Sequence, residues 1–391
     1  MIKKYEAYKE CRLEWIDNIP SNWNLLKIGR TFNNIGSGTT PKSTEKQFYE
    51  NGTINWLNTG DLNDSYIYST NKKITLKAIE NNSTLRIFPA ESIVIALYGA
   101  TIGKLGYLKI ETTTNQACCV LSNSEKVDQR FLFYYFLAVK EFIISKSYGG
   151  GQPNISQDLI KQLYIATPLI SEQTQITAYL DYQTGLIDAI IEKKELLIQK
   201  LKAQRQAIIN EAVTGKKVWN GTAWAEPVEV KDSGIEWLGE IPEHWEVVPL
   251  TKYVGPLIDY RGKTPQKTDD GIFLVTARNI KNGKIDYTLS QEYVSHEDYE
   301  SVMSRGLPLI GDVLFTTEAP LGEVANVDKS EIALAQRIIK FRGIKTELDN
   351  YFLKYWMLSY SFQFDLMTYA TGSTALGIKS SKLSNLKLNK P

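Results

Sequence analysis

Histidine and cysteine are scarce in this chain, and their scarcity removes several kinds of chemistry at once. The two histidines, His244 and His296, are too few for a zinc site built on imidazoles or for a histidine-based triad. The three cysteines, Cys11, Cys118 and Cys119, lack metal-ligand spacing. Vicinal thiols make poor structural bridges, so these side chains are expected to be reduced and buried. Net charge is scarce too: 45 basic against 44 acidic residues leave a formal +1. So weak a field counts against an autonomous, tight DNA binder, fits a protein that shares its DNA grip with a partner, and leaves any phosphate contact to local loops. No apolar run is long enough to cross a bilayer, and the segment from Met1 to Glu6 lacks the apolar core of a signal peptide. A cytoplasmic protein with no membrane partner is expected. At 391 residues, 43% hydrophobic and 23% charged, the chain has room for two globular domains and a connector.

Catalytic motifs are missing as well. Gly99-Ala100-Thr101-Ile102-Gly103-Lys104 is one residue short of a phosphate loop and has no Ser or Thr after the lysine. Gly262-Lys263-Thr264 has the right tail, but Leu257 stands where the first glycine should be. Gly36-Ser37-Gly38 lacks the third glycine of a dinucleotide fingerprint. The acidic or Asn residue followed by Pro-Pro-aromatic that an amino-methyltransferase needs does not occur. Neither Asp312 nor Glu318 has the spaced partners of a nuclease site. No catalytic residue and no metal ligand is expected.

What the chain does have is a long internal repeat. Glu14, Ile19, Pro20 and Trp23 return as Glu236, Ile241, Pro242 and Trp245, each 222 residues later. Thr40-Pro41-Lys42 is echoed by Thr264-Pro265-Gln266, and Ala100 to Lys104 by Ala319 to Glu323. Asn115-Gln116-Ala117 is echoed by Ala335-Gln336-Arg337, and Tyr148-Gly149-Gly150 by Tyr369 to Gly372. A period this long means two whole domains of one fold. Each copy holds a β-like run (Ser92 to Tyr98, Asp312 to Thr317) and one helical stretch (Asp128 to Lys146, Asp349 to Met367). The aromatics Phe131, Tyr134, Tyr135 and Phe142 should pack inward. The fold class predicted is α/β (α+β), with domains at 1–168 and 216–391.

Between them, 169–215 should be a spacer helix. Ser171 to Val213 contains no proline and one glycine, Gly185, and Ser171 is a candidate N-cap. Ile176, Leu180, Ile187, Ile190, Leu197, Leu201 and Ile208 fall near a seven-residue spacing, which predicts a coiled-coil seam needing a partner helix. Lys193, Lys194, Lys200, Lys202 and Arg205 suit the C-terminal half of the helix dipole.

The loops offer DNA chemistry. In the first domain the candidate contacts are Thr40, Lys42, Tyr98, Lys104, Gln152 and Asn154. In the second they are Arg261, Lys263, Arg278, Asn279 and Lys379. Lys and Arg neutralise phosphate, the Gln and Asn amides match adenine, and the guanidinium groups match guanine. Solvated turns, in which Gly and Asn merely satisfy positive φ, remain the alternative at each loop.

Three stretches carry a family resemblance: Glu236 to Trp245, Gly311-Asp312-Val313-Leu314-Phe315 through Gly322-Glu323, and Glu211 to Lys216. Together they resemble the specificity subunit of type I restriction–modification systems. That resemblance implies two target-recognition domains, each reading half of a split double-stranded DNA target, held apart by a long helix. It implies a non-catalytic subunit that directs modification (methyltransferase) subunits and restriction (translocase and endonuclease) subunits. S-adenosylmethionine, ATP and magnesium would then be bound by those partners, with no cofactor in this chain. The family pattern continues with a second helix where this sequence reaches Pro391. An unpartnered seam, or self-association through it, is therefore expected. A stand-alone bipartite DNA-binding regulator and a truncated or silent specificity cassette are the competing readings.

Overall fold

A computed structural model describes residues 5–149, 153–260, 265–373 and 375–391. The chain forms two compact units, Met1–Glu192 and Lys193–Pro391.

The first unit is built on a five-stranded sheet, in the order Asn34–Gly36, Cys118–Ser122, Ile93–Ala96, Leu105–Leu108, Ser65–Ile67. Its central strands are almost wholly apolar and are buried at every position. Alternation along each strand divides them between two cores. Ile93, Ile95, Cys119 and Leu121 meet Phe131 and Phe136 on one side. On the other, Val94, Ala96, Cys118 and Val120 meet Leu57 and Phe88. Beside this sheet, Ile54–Leu57 pairs in parallel with Thr113–Thr114. A hairpin of Tyr8–Leu13 and Ile16–Pro20 precedes it, and Asn24–Lys27 pairs with Tyr164–Thr167, the last strand of this unit.

The second unit repeats these pairings. Tyr8 faces Pro20 in the first hairpin, and Val230 faces Pro242 in the second, each residue 222 positions on. Glu246–Pro249 pairs with Lys387–Lys390 as Asn24–Lys27 does with Tyr164–Thr167. Ile272–Val275 runs parallel to Ala333–Leu334, and Val313–Thr317 sits between Leu321–Asn326 and Ile338–Phe341.

Each predicted helical stretch is broken once. Gln129–Ala138 and Lys140–Ser145 replace the first, and Asn350–Met357 and Tyr360–Tyr369 the second. Asp128 and Asp349 cap the opening pieces at equivalent places, accepting from the amides two and three residues on. Val139 leaves helical geometry (φ −102°, ψ 11°), while Ser359 restarts the second piece by accepting from the Phe362 amide. Apolar spacing continues through both breaks, which is why periodicity alone joins the pieces. Of the aromatics predicted to pack inward, Phe131 is buried, while Tyr134, Tyr135 and Phe142 are partly buried against the same core.

The spacer is one helix, Ile170–Val213, whose 44 residues rise about 66 Å. Ser171 does not cap it. The first amides bonded, Glu172 and Gln173, donate to the Leu169 carbonyl, so Ser171 already lies within the first turn. The helix is tied to the first unit by polar side chains. Gln173, fully buried, donates to the carbonyls of Lys126 (3.0 Å) and Pro168 (2.9 Å) and accepts from the Asp128 amide (2.8 Å). Asp181 accepts from the hydroxyls of Tyr66 (2.8 Å) and Tyr134 (2.6 Å) and pairs with Arg130 (3.3 Å). In the second unit, Ile209 and Val213 enter the core. There Asn389 donates to the Val213 carbonyl at 3.2 Å.

Of the predicted seam, Ile176 packs partly against the first unit's core and Leu180 is half-buried. Ile187, Ile190, Leu197, Leu201 and Ile208 remain 53–58% exposed. Such a row of exposed large apolar residues is rare on a self-sufficient surface. Cys11, Cys118 and Cys119 are free thiols, and all are buried, in line with the sequence reading. No helix among the described residues is long and apolar enough to cross a membrane.

Candidate nucleic-acid interface

Three backbone contacts gather distant loops at one edge of the first unit. The Asn115 amide donates to the Leu57 carbonyl (3.0 Å), extending the parallel pair by one bond. The Leu97 amide donates to the Ala117 carbonyl (2.8 Å), and the Ile155 amide to the Leu97 carbonyl (2.7 Å). The loop after Asn34–Gly36 joins them. Gly38 donates its amide to Thr114 Oγ1 (2.9 Å), Trp56 donates to the Thr39 carbonyl (3.2 Å), and Gln157 donates to Ser37 Oγ (2.7 Å). A Cβ on Gly38 would lie 1.9 Å from the Thr114 carbonyl oxygen, so only glycine passes this close to the strand.

The second unit makes the same frame from different residues. The Ala335 amide donates to the Val275 carbonyl (2.9 Å), the Thr317 amide to the Arg337 carbonyl (2.9 Å), and the Ile378 amide to the Thr317 carbonyl (3.0 Å). A cleft of about 280 Å³ opens here, lined by Lys267, Arg278, Ser290, Glu292, Gln336 and Arg337 among others. Lys267 pairs with Glu292 at 2.8 Å, and Arg337 reaches Glu318 only loosely at 3.7 Å.

Several predicted contacts stand at these edges. Thr40 is exposed and donates to Gln116 Oε1 (2.8 Å), and Lys42 is exposed two residues further on. Tyr98 and Asn154 are bridged to each other through their backbones, and Asn154 is bridged to Tyr148 as well. The Tyr98 ring packs partly against the core, so only part of it faces water. Arg278 is exposed on the turn after Ile272–Val275, and Lys379 is exposed just beyond Ile378. Lys104 is half-buried where the chain turns back into Leu105–Leu108, and its carbonyl accepts from the Ala96 amide. Gln152, Arg261 and Lys263 lie outside the described residues.

Asn279 is a correction. It is fully buried, and its amide is spent on the turn itself. Oδ1 accepts from the Thr276 amide (2.9 Å) and hydroxyl (2.8 Å), while Nδ2 donates to the carbonyls of Asp286 (3.0 Å) and Leu289. Asp61 does the same work in the first unit, accepting from the Asn58 amide at 2.8 Å. Asn279 thus holds the turn that displays Arg278 and has no free amide for a base. Gln116, Gln336 and Arg337, from segments that the repeat aligns with one another, are also exposed at these edges.

A buried ion cluster stiffens the second unit behind its edge. Asp312 accepts from Arg342 Nε (2.6 Å) and Nη2 (2.7 Å) and from the Leu309 amide (2.9 Å), with Lys340 Nζ at 3.4 Å. Burial alone would push the Asp312 carboxyl up. The Arg342 and Leu309 hydrogen bonds and the two cations outweigh it, holding the group below the usual carboxylate range. Lys340 moves the other way, because burial disfavours its ammonium more than the shared carboxylate supports it. Among the described residues, no group of three His, Cys, Asp or Glu side chains is placed to hold a metal ion.

A family model described as the type I restriction modification DNA specificity domain matches residues 20–200 and 242–391. The chain belongs to that family. The two matched stretches fall one in each half of the repeat. Among curated relatives, the type I restriction enzyme MjaVIII specificity subunit of Methanocaldococcus jannaschii is 26% identical, across 100% of this chain and 88% of its own length. The EcoR124I/EcoR124II specificity subunit of Escherichia coli is 26% identical over 49% of this chain and 47% of its own. A solved structure described under complex assembly and conformational transition of the type I R-M system shares the fold. It aligns at a TM-score of 0.59 and 15% identity, covering 95% of this chain and 86% of that one.

Proposed function

We propose that this chain is the sequence-reading subunit of a type I restriction–modification assembly. Each unit reads one half of a bipartite duplex target, and the long helix joins the two readers. The observation that carries this reading is the repeated edge. One backbone frame gathers the same loops twice, and its side chains differ between copies. That is what two readers with different half-sites require, because phosphate contacts position and side chains at base edges specify. The names of the relatives, all type I specificity subunits, support it.

The chain supplies recognition, and modification and restriction subunits supply the reaction in the cytoplasm. Those partners bind S-adenosylmethionine, ATP and magnesium, and this chain binds none of them. Thr40, Lys42, Tyr98, Lys104, Asn154, Arg278 and Lys379 are the described residues that would meet DNA. Methylome sequencing of a host with and without this gene tests the reading. Loss of methylation at one split motif is the expected result. An unchanged methylome, together with no motif enriched from random duplexes by the purified chain, would overturn it.

A further inference from the structure

We infer that Gln116 and Gln336 are equivalent base-reading residues, and that Arg337 adds a second base contact in the second unit only. This rests on the DNA-reading function proposed above and names the residues that set its specificity.

Both glutamines sit two residues past the end of a parallel strand pair. Leu57 faces Thr114 and Val275 faces Leu334, and the next amides, Asn115 and Ala335, continue the ladder. The carboxyl ends of parallel strands are where open sheets place their ligand crevices. Both side chains are exposed at that edge, so neither is retained for core packing. Gln116 Oε1 accepts from Thr40, which fixes the amide's orientation, and its Nε2 has no hydrogen-bond partner among the described residues. Gln336 makes no hydrogen bond to any described residue and lines the cleft with Arg278 and Arg337. A carboxamide presents a donor and an acceptor side by side, the pattern that matches the adenine N6 and N7 edge.

Arg337 carries a further mark. It follows Gln336 in a left-handed conformation (φ 75°), uncommon for a residue with a side chain. Two hydrogen bonds to its carbonyl, from the Thr317 amide (2.9 Å) and hydroxyl (3.2 Å), hold that geometry. Backbone strain that the surroundings over-determine is typical of ligand-contacting positions. The first unit has Ala117 at this place, without positive φ. Only the second unit therefore offers a guanidinium fork beside the shared glutamine, and a fork suits the guanine O6 and N7 edge.

The test is selection of bound sequences from random duplexes by the full chain and by Gln116→Ala, Gln336→Ala and Arg337→Lys. Thermal melting of each variant serves as a check that the fold is intact. The wild type should enrich a split motif. Gln116→Ala should relax one base pair in one half-site and Gln336→Ala the corresponding base pair in the other, each by roughly 10-fold. Arg337→Lys keeps the charge and loses the fork, so it should relax an adjacent base pair of the second half-site alone. Unchanged motifs from folded glutamine variants would overturn the inference and leave the function standing. An unchanged motif for Arg337→Lys, with binding merely weaker in salt, would make Arg337 a phosphate contact and remove it. No motif from the wild type, together with a host methylome unchanged by loss of the gene, would overturn both the proposed function and this inference.

Discussion

Replacing Asp312 with alanine should unfold the second unit well before the first. The Asp312 and Lys340 side chains are 1% and 4% exposed, whereas Arg342 is 42% exposed. Removing the carboxylate therefore affects the two cations unequally. Arg342 can turn to water, but Lys340 is left charged and buried, with the Leu307 carbonyl (3.1 Å) its one remaining hydrogen-bond partner among the described residues. Breaking a buried pair from one side costs about 3–5 kcal/mol, chiefly through the uncompensated charge. For a unit of this size, 1 kcal/mol moves the midpoint by about 2–4 °C, so its transition should fall by roughly 6–20 °C. Lys340→Met should be mild, because Asp312 keeps both Arg342 bonds and the Leu309 amide. The double variant Asp312→Ala/Lys340→Met should recover most of the loss. Calorimetry of the full chain reads this out, the second unit being the transition that moves. The reasoning fails if Asp312→Ala and Lys340→Met are equally harmful, or if the double variant is no better than Asp312→Ala. The pH dependence has a definite sign. A carboxyl whose folded pKa is depressed contributes stability above its unfolded value, about 3.9. That contribution drains away as pH falls below this value towards the folded one, and Asp312→Asn should flatten that part of the acid limb.

Other predictions follow from single contacts. Gln173→Ala should lower the first unit's stability by about 2–3 kcal/mol, since it strands the Asp128 amide and two carbonyls. Hydrogen exchange should then rise first in the opening turns of the long helix, and uniform exchange would refute the anchoring role. Asn279→Ala should destabilise the second unit by about 1–3 kcal/mol. It should leave the selected DNA motif unchanged once binding is measured well below the midpoint. Burial pushes Cys119 up to about 12, and Cys118 higher still, so both should resist iodoacetamide in the native chain at pH 8. Rapid labelling by mass spectrometry would contradict their placement in the sheet. Asp365 is raised by burial and accepts from the Lys387 amide, so Asp365→Asn should keep that bond and raise stability at neutral pH.

Much of this architecture can be read from residues, and what cannot has physical reasons. The repeat is legible because Trp23 and Trp245, with Pro20 and Pro242, hold equivalent corners that tolerate little change. The exposed seam is legible because Ile187 and Leu201 fall on one helical face whatever covers it. Asn279 misleads because an Asn that ties a turn inward and an Asn that offers its amide outward follow the same glycine- and hydroxyl-rich pattern. Only the burial and partners of that amide separate them. The helix breaks at Val139 and Ser359 are hidden because the apolar spacing runs through them. Gln116 and Gln336 are visible as a repeated letter, but their importance depends on the parallel pairing of Thr113–Thr114 with Ile54–Leu57. A two-residue strand leaves no pattern in sequence.

The frame itself explains how such a chain can change its target. The bonds that both copies share are made by backbone groups: Asn115 to Leu57 and Ala335 to Val275, Leu97 to Ala117 and Thr317 to Arg337. A backbone amide and carbonyl are present whatever side chain stands there, so the edge survives exchange of Ala117 for Arg337 or of Gly60 for Arg278. The constraints that remain are few and local. Gly38 must stay small against Thr114, and Asp61 and Asn279 must cap their turns. Specificity is thereby uncoupled from stability. On the proposed function, residues at the edge would choose the base and contribute little to folding, whereas those beneath it would do the reverse. If exchanging the 335–337 segment for 115–117 carried its base preference across without loss of melting temperature, that separation would be demonstrated. A large stability loss on exchange would mean that the side chains, and not the backbone ladder, hold the edge together.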